Sequence, residues 1–417
     1  MGVDVNPETL LSAKHRPWWL LWAAYALALI LAPWLLTSSL SQSLLSQIGI
    51  AIIVCLSYNL LLGQGGMVSF GHALYSGMGA YLAMHTLNLV SSGWPLPVSL
   101  IPLVGGLTSL LLALLLGWVS TRRSGTALAM ITFGMGELVW AGALVLPGWF
   151  GGEGGLSGNR VAGSAPLGLT FGPQIQLYYL IALYTFICTA LMYALTQTPL
   201  GCLLNAVRDN PERVAFVGYN PHRVRYMVFV ISAFFAGIAG GLSALHYEIV
   251  SAEVLSAHRS GLLLLFTFLG GSTGFVGPIL GAVLMVLALG LLPGFTPAWL
   301  LYLGVLFVGV VMTAPGGLTA LLVRLWQYAR QGRWRRRWPW QLALIASILI
   351  AITPLLAWVE MLYRLQQVDM LGSRLVFLGW TLDVQSPASW LSTLGVAVLG
   401  VALWALSRRA LAQKVSP

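Results

Sequence analysis

Apolar runs of about twenty residues, the length of a membrane span, recur along most of this 417-residue chain. At a rise of about 1.5 Å per residue, each run can form a helix that crosses a hydrocarbon core of roughly 30 Å. Hydrophobic residues make up 58% of the sequence and charged residues only 8%, which lies outside the range of soluble globular domains. The sequence therefore predicts an all-α polytopic integral membrane protein.

The apolar runs predict about ten membrane helices before residue 318 and about two more after it, some of them short or broken. The first run, Trp18 to Leu36, is longer than the apolar core of a signal peptide, and no small-residue cleavage site follows it. We therefore expect it to remain in the mature protein. The predicted spans lie at about 18–36, 44–62, 68–90, 97–118, 126–147, 174–196, 225–248, 256–272, 277–293, 297–314, 340–358 and 388–407.

Basic residues are distributed unevenly around these spans. With the N-terminus placed in the cytoplasm, 17 of the 21 lysines and arginines fall on the cytoplasmic side. This bias is the positive-inside pattern of membrane proteins, so the net charge of +10 indicates orientation rather than nucleic-acid binding. Both termini are predicted to be cytoplasmic. The four basic residues on the other side are Arg160, Arg259, Arg364 and Arg374.

The sequence contains no recognisable pattern for catalysis or metal binding. Cys55, Cys188 and Cys202 are too scattered for a disulfide framework, and no Cys/His spacing is typical of a metal site. No nucleophile with a base, carboxylate pair or Walker-type phosphate loop stands out. We therefore expect no catalytic activity, including ATP hydrolysis, from this chain itself.

Two predicted spans are interrupted by glycines and polar residues. They contain "LGQGGMVSFGHALYSGMGAYL" at 62–82 and "LGGSTGFVGPILGAVL" at 269–284. Irregular backbone at membrane depth is tolerated only where protein or a water-filled cavity covers it. These segments either allow close helix packing or line a path across the membrane, and the sequence leaves both interpretations open.

A polar island, residues 200–226, follows the sixth predicted span. Thr198 and Pro199 are typical of a helix start, and Asn210 and Pro211 predict the end of this helix and the start of a second. Gly218 can supply the left-handed residue that closes the second helix. The island is therefore predicted to be a folded element of two short capped helices rather than a simple connector.

The island resembles the cytoplasmic signature of ABC importer permeases, in which a Glu is followed six residues later by Gly, here Glu212 and Gly218. Arg213 and Val214 replace the small residues that commonly follow the Glu. The longer stretch "NAVRDNPERVAFVGYNPHRVRYMVFVISAFFAGIAGGLSAL" closely resembles the LivM-type permeases of branched-chain amino acid importers. Four other stretches resemble the same family in the same order: "NLLLGQGGMVSFGHALYSGMGAY", "ITFGMGE", "GGEGGLSG" and "LGGSTGFVGPILGA".

This resemblance implies the permease subunit of an ATP-driven importer for branched-chain or other small hydrophobic amino acids, located in the bacterial inner membrane. It implies a heterodimer with a related permease, two cytoplasmic ATPase subunits that hold the ATP and Mg, and a periplasmic substrate-binding protein. This chain itself would bind no cofactor. The implied ATPase-coupling residues are Arg208, Asp209, Asn210, Pro211, Glu212, Arg213, Ala215 and Gly218.

The candidates for the translocation path are Ser69, His72, Tyr75 and Glu137. Glu137 falls in mid-span, where an unpaired acid costs at least a few kcal/mol, so we expect it to face the interior and to be paired or protonated. His72 is a possible partner. Glu137 either shapes the path or joins two helices, and His72 is either a substrate ligand or a satisfied buried histidine.

Two functional alternatives stay open. A related importer would carry urea, short amides or another small organic solute, since the binding protein does most of the selection. An ion-coupled secondary transporter would instead use Glu137 and His72 as a proton relay.

The predicted domain organisation has a cytoplasmic N-terminus at 1–17, a permease domain at 18–317 with a coupling loop at 197–224, a basic linker at 318–338 and a C-terminal extension at 339–417. The extension carries two predicted membrane helices and no motif that we can interpret. It is either a lipid-facing or a partner-facing addition.

Overall fold

The helices of the structure follow the predicted apolar runs, which confirms the all-α membrane fold. The computed structural model describes residues 18–161, 170–313, 316–330, 350, 353–366, 372–377 and 380–413. The predicted N-terminal segment 1–17 lies outside them. The helices are α1 (Trp18–Leu35), α2 (Ser39–Asn59), α3 (His72–Ser91), α4 (Ile101–Ser120), α5 (Thr126–Val145), α6 (Pro147–Phe150), α7 (Gln174–Gln197), α8 (Pro199–Asp209), α9 (Pro211–Phe216), α10 (Pro221–Tyr247), α11 (Ala257–Gly270), α12 (Gly277–Phe295), α13 (Trp299–Thr313), α14 (Gly317–Arg330), α15 (353–366) and α16 (Pro387–Gln413).

Six of the described helical segments are long and apolar enough to cross a membrane on their own. A seventh candidate is the helix pair Trp299–Met312 and Gly317–Val323, whose axes are bent by 59° relative to each other. Shorter or more polar helices, α1, α3, α11 and α16, occupy four further predicted spans. The chain is thus a multi-pass membrane protein. The six segments are Ser39–Gln64, Val98–Ser120, Thr126–Val145, Gln174–Gln197, Pro221–Tyr247 and Gly277–Gly294.

The chain divides into two compact units, Met1–Leu287 and Ala288–Pro417. In the first unit α2 and α10 form the centre, since 78% and 83% of their apolar windows are buried. α10 lies against α3, α4 and α2, and α2 also lies against α7. By contrast, only 28% of α5 is buried, so most of this helix remains available for lipid or another protein.

Glycines allow the central helices to approach until their backbones touch. A Cβ placed on Gly240 of α10 would overlap the carbonyl oxygen of Ser76 on α3. A Cβ on Gly237 would likewise overlap the carbonyl oxygen of Gly105 on α4. Small residues let membrane helices gain close van der Waals contact, which replaces the hydrophobic driving force that is missing in lipid.

The two interrupted spans lie against each other. After α2 the chain forms a π-helical turn at Leu60–Gln64 and an irregular segment that leads into α3. α11 ends at Gly270, and the chain turns through Gly271 (φ 117°) before α12 begins. A Cβ on Gly63 would overlap the carbonyl oxygen of Ser272, so the two breaks are in backbone contact. The sequence singled out both segments but did not predict this contact.

The second unit contains α13 to α16 and a β-hairpin that the sequence did not predict. The hairpin pairs Arg374–Phe377 antiparallel to Trp380–Asp383. Glu360 on α15 accepts hydrogen bonds from the hydroxyls of Tyr302 (2.9 Å) and Thr296. The predicted span at 340–358 lies mostly outside the described residues, and α15 continues past its expected end to residue 366. α14 covers the first part of the predicted basic linker.

The backbone contact of α10 with α3 is testable by adding one methyl group. Gly240→Ala is expected to destabilise the protein by about 1–3 kcal/mol, because the new Cβ overlaps backbone that cannot move alone. The matched control is Gly142→Ala in α5, where no atom lies within 4 Å of the new Cβ. Thermal melting of the purified protein in detergent should show a lower Tm for the first variant only. Equal Tm values would contradict the contact.

Candidate functional site

The polar island contains the two capped helices that its sequence predicts. The Oγ1 atom of Thr198 accepts a hydrogen bond from the amide of Gly201, and Oδ1 of Asn210 accepts one from the amide of Arg213 (2.9 Å). Each side chain satisfies an amide that has no partner within its own helix. Gly218 adopts a φ of 96°, so the chain leaves α9 at a left-handed residue. The predicted caps and boundaries are confirmed.

The tip of the island exposes large apolar side chains. Phe216 is 91% exposed, Val217 71% and Tyr219 51%, while Val214 is buried and anchors α9. This tip begins at the last residue of α9 and lies outside the six apolar spans. Exposed apolar patches surrounded by polar residues mark surfaces that bind a protein or a membrane. The eight residues predicted to couple to an ATPase are all exposed on the same island: Arg208, Asp209, Asn210, Pro211, Glu212, Arg213, Ala215 and Gly218.

Arg208 joins the island to the first interrupted span. Its Nη1 atom donates a hydrogen bond to the carbonyl oxygen of Gly63 at 2.5 Å, and its Nε atom pairs with Asp209 at 3.0 Å. A Cβ on Gly66 would lie only 2.7 Å from Cγ of Arg208, so the aliphatic part of the arginine side chain packs directly against this glycine. Leu204, one helical turn earlier, lies beside Gly65. One face of α8 therefore rests on the interrupted segment.

The interrupted segment obtains its hydrogen bonds from neighbouring side chains. The hydroxyl of Tyr58 donates to the carbonyl oxygen of Ser69 (2.9 Å) and accepts from the Ser69 amide (3.3 Å). The amide of Phe70 donates to Oγ1 of Thr132 on α5 (3.2 Å), and the amide of Ala73 donates to Oγ of Ser260 on α11 (3.0 Å). Three helices thus satisfy backbone groups that would otherwise cost several kcal/mol each in a membrane.

The predicted path residues fall into two groups. Ser69, His72 and Tyr75 are fully buried in the first unit, near Tyr58. Nε2 of His72 lies 2.9 Å from Oγ of Ser57, and that hydroxyl donates its own proton to the Val54 carbonyl. His72 must therefore donate through Nε2, which leaves Nδ1 without a hydrogen-bond partner among the described residues.

Glu137 lies apart from this cluster, and the suggested pair with His72 does not form. Its side chain is half-exposed, and the described residues offer its carboxylate no hydrogen bond or ion pair. α5 contacts the interrupted segment through Thr132 and Gly136, and Glu137 lies just off that contacting face. The expectation that Glu137 faces the protein interior and is paired or protonated stays a prediction, because its side chain is only partly exposed in this subunit.

Arg160, which the sequence singled out only as a basic residue on the non-cytoplasmic side, binds the backbone at the C-terminal end of α10. Arg160 donates from Nη1 to the carbonyl oxygens of Leu245 (3.3 Å) and His246 (3.4 Å), and its amide donates to the carboxylate of Glu248 (2.9 Å). Its guanidinium also holds the carbonyl oxygen of Phe171. β1 (Leu156–Ser157) pairs with β2 (Ile249–Val250) beside it. Residues 162–169, which follow this segment, lie outside the described residues.

No group of three or more potential metal ligands occurs among the residues that the structure describes. The candidate site combines an exposed apolar tip, a pair of capped helices and a hydrogen bond from Arg208 to an interrupted span. The sequence missed Arg208 as that link and Thr132 as a backbone partner. The only available signal for Arg208 was a lone arginine on the apolar face of a short helix.

Comparisons with known proteins identify relatives of the chain. The family described as "Branched-chain amino acid transport system / permease component" matches residues 40–314. The high-affinity branched-chain amino acid transport system permease protein LivM of Salmonella typhimurium is 30% identical over 315 residues, 70% of this chain and 73% of that protein. LivM of Escherichia coli is 29% identical over 290 residues, which cover 64% and 67%. The fructose import permease protein FruF of Bifidobacterium longum is 29% identical over 178 residues, 38% and 47%. No solved structure matches significantly.

The Arg208 link predicts a local effect on the interrupted segment. Arg208→Gln is expected to accelerate hydrogen exchange of the amides between Gly65 and Ala73 by about tenfold, because a hydrogen bond from a charged group contributes roughly 1.5–3 kcal/mol. The control is Arg223→Gln, an exposed arginine in the first turn of α10. Exchange measured by mass spectrometry on the purified protein distinguishes the two. Unchanged exchange in both variants would show that Arg208 does not hold the segment.

Proposed function

This chain belongs to the branched-chain amino acid transport permease family, and we propose that it forms half of the translocation path of an ATP-driven amino acid importer. Members of this family are transport subunits rather than catalysts, and they work within systems that contain other subunits. The proposed solutes are branched-chain or other small hydrophobic amino acids. The proposed location is the bacterial inner membrane, with both termini in the cytoplasm.

The observation that carries this proposal is the exposed apolar tip of the island. In the proposed orientation the tip lies in the cytoplasm, where lipid cannot cover Phe216 and Val217. A groove beside it is lined by residues of the island, among them Leu203, Arg213 and Val217. Such a surface suits a protein partner, and we assign it to one of two cytoplasmic ATPase subunits, which hold ATP and Mg.

The rigid connections of the island give this docking a mechanical consequence. A partner that pulls on α8 and α9 also pulls on Arg208, and Arg208 holds the Gly63 carbonyl in the first interrupted span. The same span contacts α5 and α11 through Thr132 and Ser260. ATP binding would then bias the membrane helices only if the ATPases hold the island differently in their two states.

The remaining partners follow from surfaces that this subunit leaves open. α5 is only 28% buried and carries the half-exposed Glu137, so we assign this face to the second permease subunit and to the path between the subunits. The loop held by Arg160 lies at the opposite end of α10 from the island. We assign that end to the periplasmic binding protein that delivers the solute.

A related importer for another small solute is the second candidate. The similarity to a protein named as a fructose import permease indicates that this fold segment serves solutes other than amino acids. Urea and short amides belong to the same alternative. The proton-relay alternative has less support, because Glu137 and His72 share no hydrogen bond in the described structure.

The central prediction concerns energy source and solute. The purified complex, reconstituted in proteoliposomes with its binding protein, is expected to take up leucine, isoleucine or valine when ATP and Mg²⁺ are present at the ATPase face. A protonophore should leave uptake unchanged, because no ion gradient is used. Uptake that follows a proton gradient without ATP would contradict the importer. Import of only urea or amides would keep the mechanism and replace the solute.

Docking of the ATPase should depend on the backbone at the island tip. Gly218 has a φ of 96°, which a β-branched residue tolerates poorly, so Gly218→Val should distort the tip and lower ATP-dependent uptake about tenfold. Gly218→Asn is the matched control, because asparagine tolerates left-handed backbone far better. Co-purification of the ATPase with each variant measures docking directly. Normal co-purification and uptake for Gly218→Val would remove the tip from the coupling mechanism.

A further inference from the structure

A third arginine, Arg259, lines a narrow cleft in the first unit. It occupies the first turn of α11, next to Ser260, whose hydroxyl accepts from the Ala73 amide at the start of α3. Ala73 is 18 residues before the opposite end of α3 at Ser91, a separation of about 27 Å along the helix at 1.5 Å per residue. Arg259 is therefore close to the start of α3 and about 27 Å from its end at Ser91.

The guanidinium of Arg259 is available for a ligand. The described residues offer it no hydrogen bond and no ion pair, and its side chain is exposed to the cleft. By contrast, Arg160 and Arg208 are both held by backbone carbonyls. A guanidinium without a protein partner can bind a carboxylate through two parallel hydrogen bonds.

The cleft around Arg259 combines three chemical groups. Besides the guanidinium, the hydroxyls of Ser76 and Ser243 donate to backbone carbonyls and keep lone pairs that can accept from an ammonium group. The other lining side chains are mainly aliphatic. They are Ile50, Val54, Ala80, Ala239, Val254 and Leu263.

We propose that Arg259 binds the α-carboxylate of the transported amino acid, with Ser76 and Ser243 facing its ammonium group and the aliphatic residues facing its side chain. The proposal rests on the proposed function and names the residues that recognise its substrate class. In this conformation the cleft measures about 40 Å³, which is room for a few waters only. An amino acid therefore occupies it when α11 moves away from α3 and α10.

The first test is uptake by complexes that carry single substitutions. Arg259→Gln is expected to lower the maximal rate of leucine uptake about tenfold or more, and Arg259→Lys less, because lysine keeps the charge but loses the two-pronged geometry. His258→Gln, an exposed neighbour outside the cleft, is the control and should match the wild type. The binding-protein concentration at half-maximal rate should not change.

The alternatives to this role give different results. A raised half-maximal concentration of binding protein would make Arg259 a docking residue, and loss of the second permease during purification would make it a subunit contact. Either result overturns the proposal. If the wild-type complex imports leucine and Arg259→Gln does so equally well, the proposal alone fails. If the wild-type complex imports no amino acid, the proposed function itself fails.

The second test needs no variant and is independent of correct folding of a mutant. Phenylglyoxal should modify Arg259 in the purified wild-type complex, as measured by mass spectrometry of the peptide. Saturating leucine is expected to protect Arg259, whereas leucinamide, which has the same side chain and ammonium group but no carboxylate, should not. Equal modification with and without leucine would overturn the proposal, as would equal protection by both compounds.

Discussion

Every backbone amide and carbonyl inside a membrane needs a partner from the protein, and this requirement governs the arrangement around the first interrupted span. Tyr58, Thr132 and Ser260 supply hydrogen bonds to its backbone from three different helices. Each of these helices must then stay close to the break. The gap in one span therefore determines how its neighbours assemble, rather than being a local defect.

The same requirement explains why the polar island is more than a connector. Arg208 contributes one more hydrogen bond to the interrupted region, at Gly63, and this bond comes from outside the apolar spans. The stability of the break and the position of the island are thus coupled by one side chain. A displacement of the exposed island would therefore act directly on the Gly63 carbonyl.

Local features of this structure were predictable from sequence, and distant pairings were not. Caps such as Thr198 and Asn210 act within three residues, so the sequence alone predicted both island helices. The Arg208 bond spans 145 residues, and nothing in the sequence near Gly63 names its partner. The suggested Glu137–His72 pair was wrong for the same reason, because helix periodicity fixes a residue's face but not the neighbour of that face. The C-terminal hairpin was missed because two strands of four residues give a weak signal beside long apolar runs.

The hydrogen bonds between Arg160 and the end of α10 have a consequence for biosynthesis. Leu245, whose carbonyl accepts one of these bonds, is synthesised 85 residues after Arg160. Helices α7, α8, α9 and nearly all of α10 must therefore be synthesised before this hydrogen bond can form. Until then Arg160 has no partner at Leu245, His246 or Glu248. The contacts of Arg160 with the end of α10 therefore form only after the whole of this helix has been synthesised, so they stabilise the late stages of folding rather than the early ones.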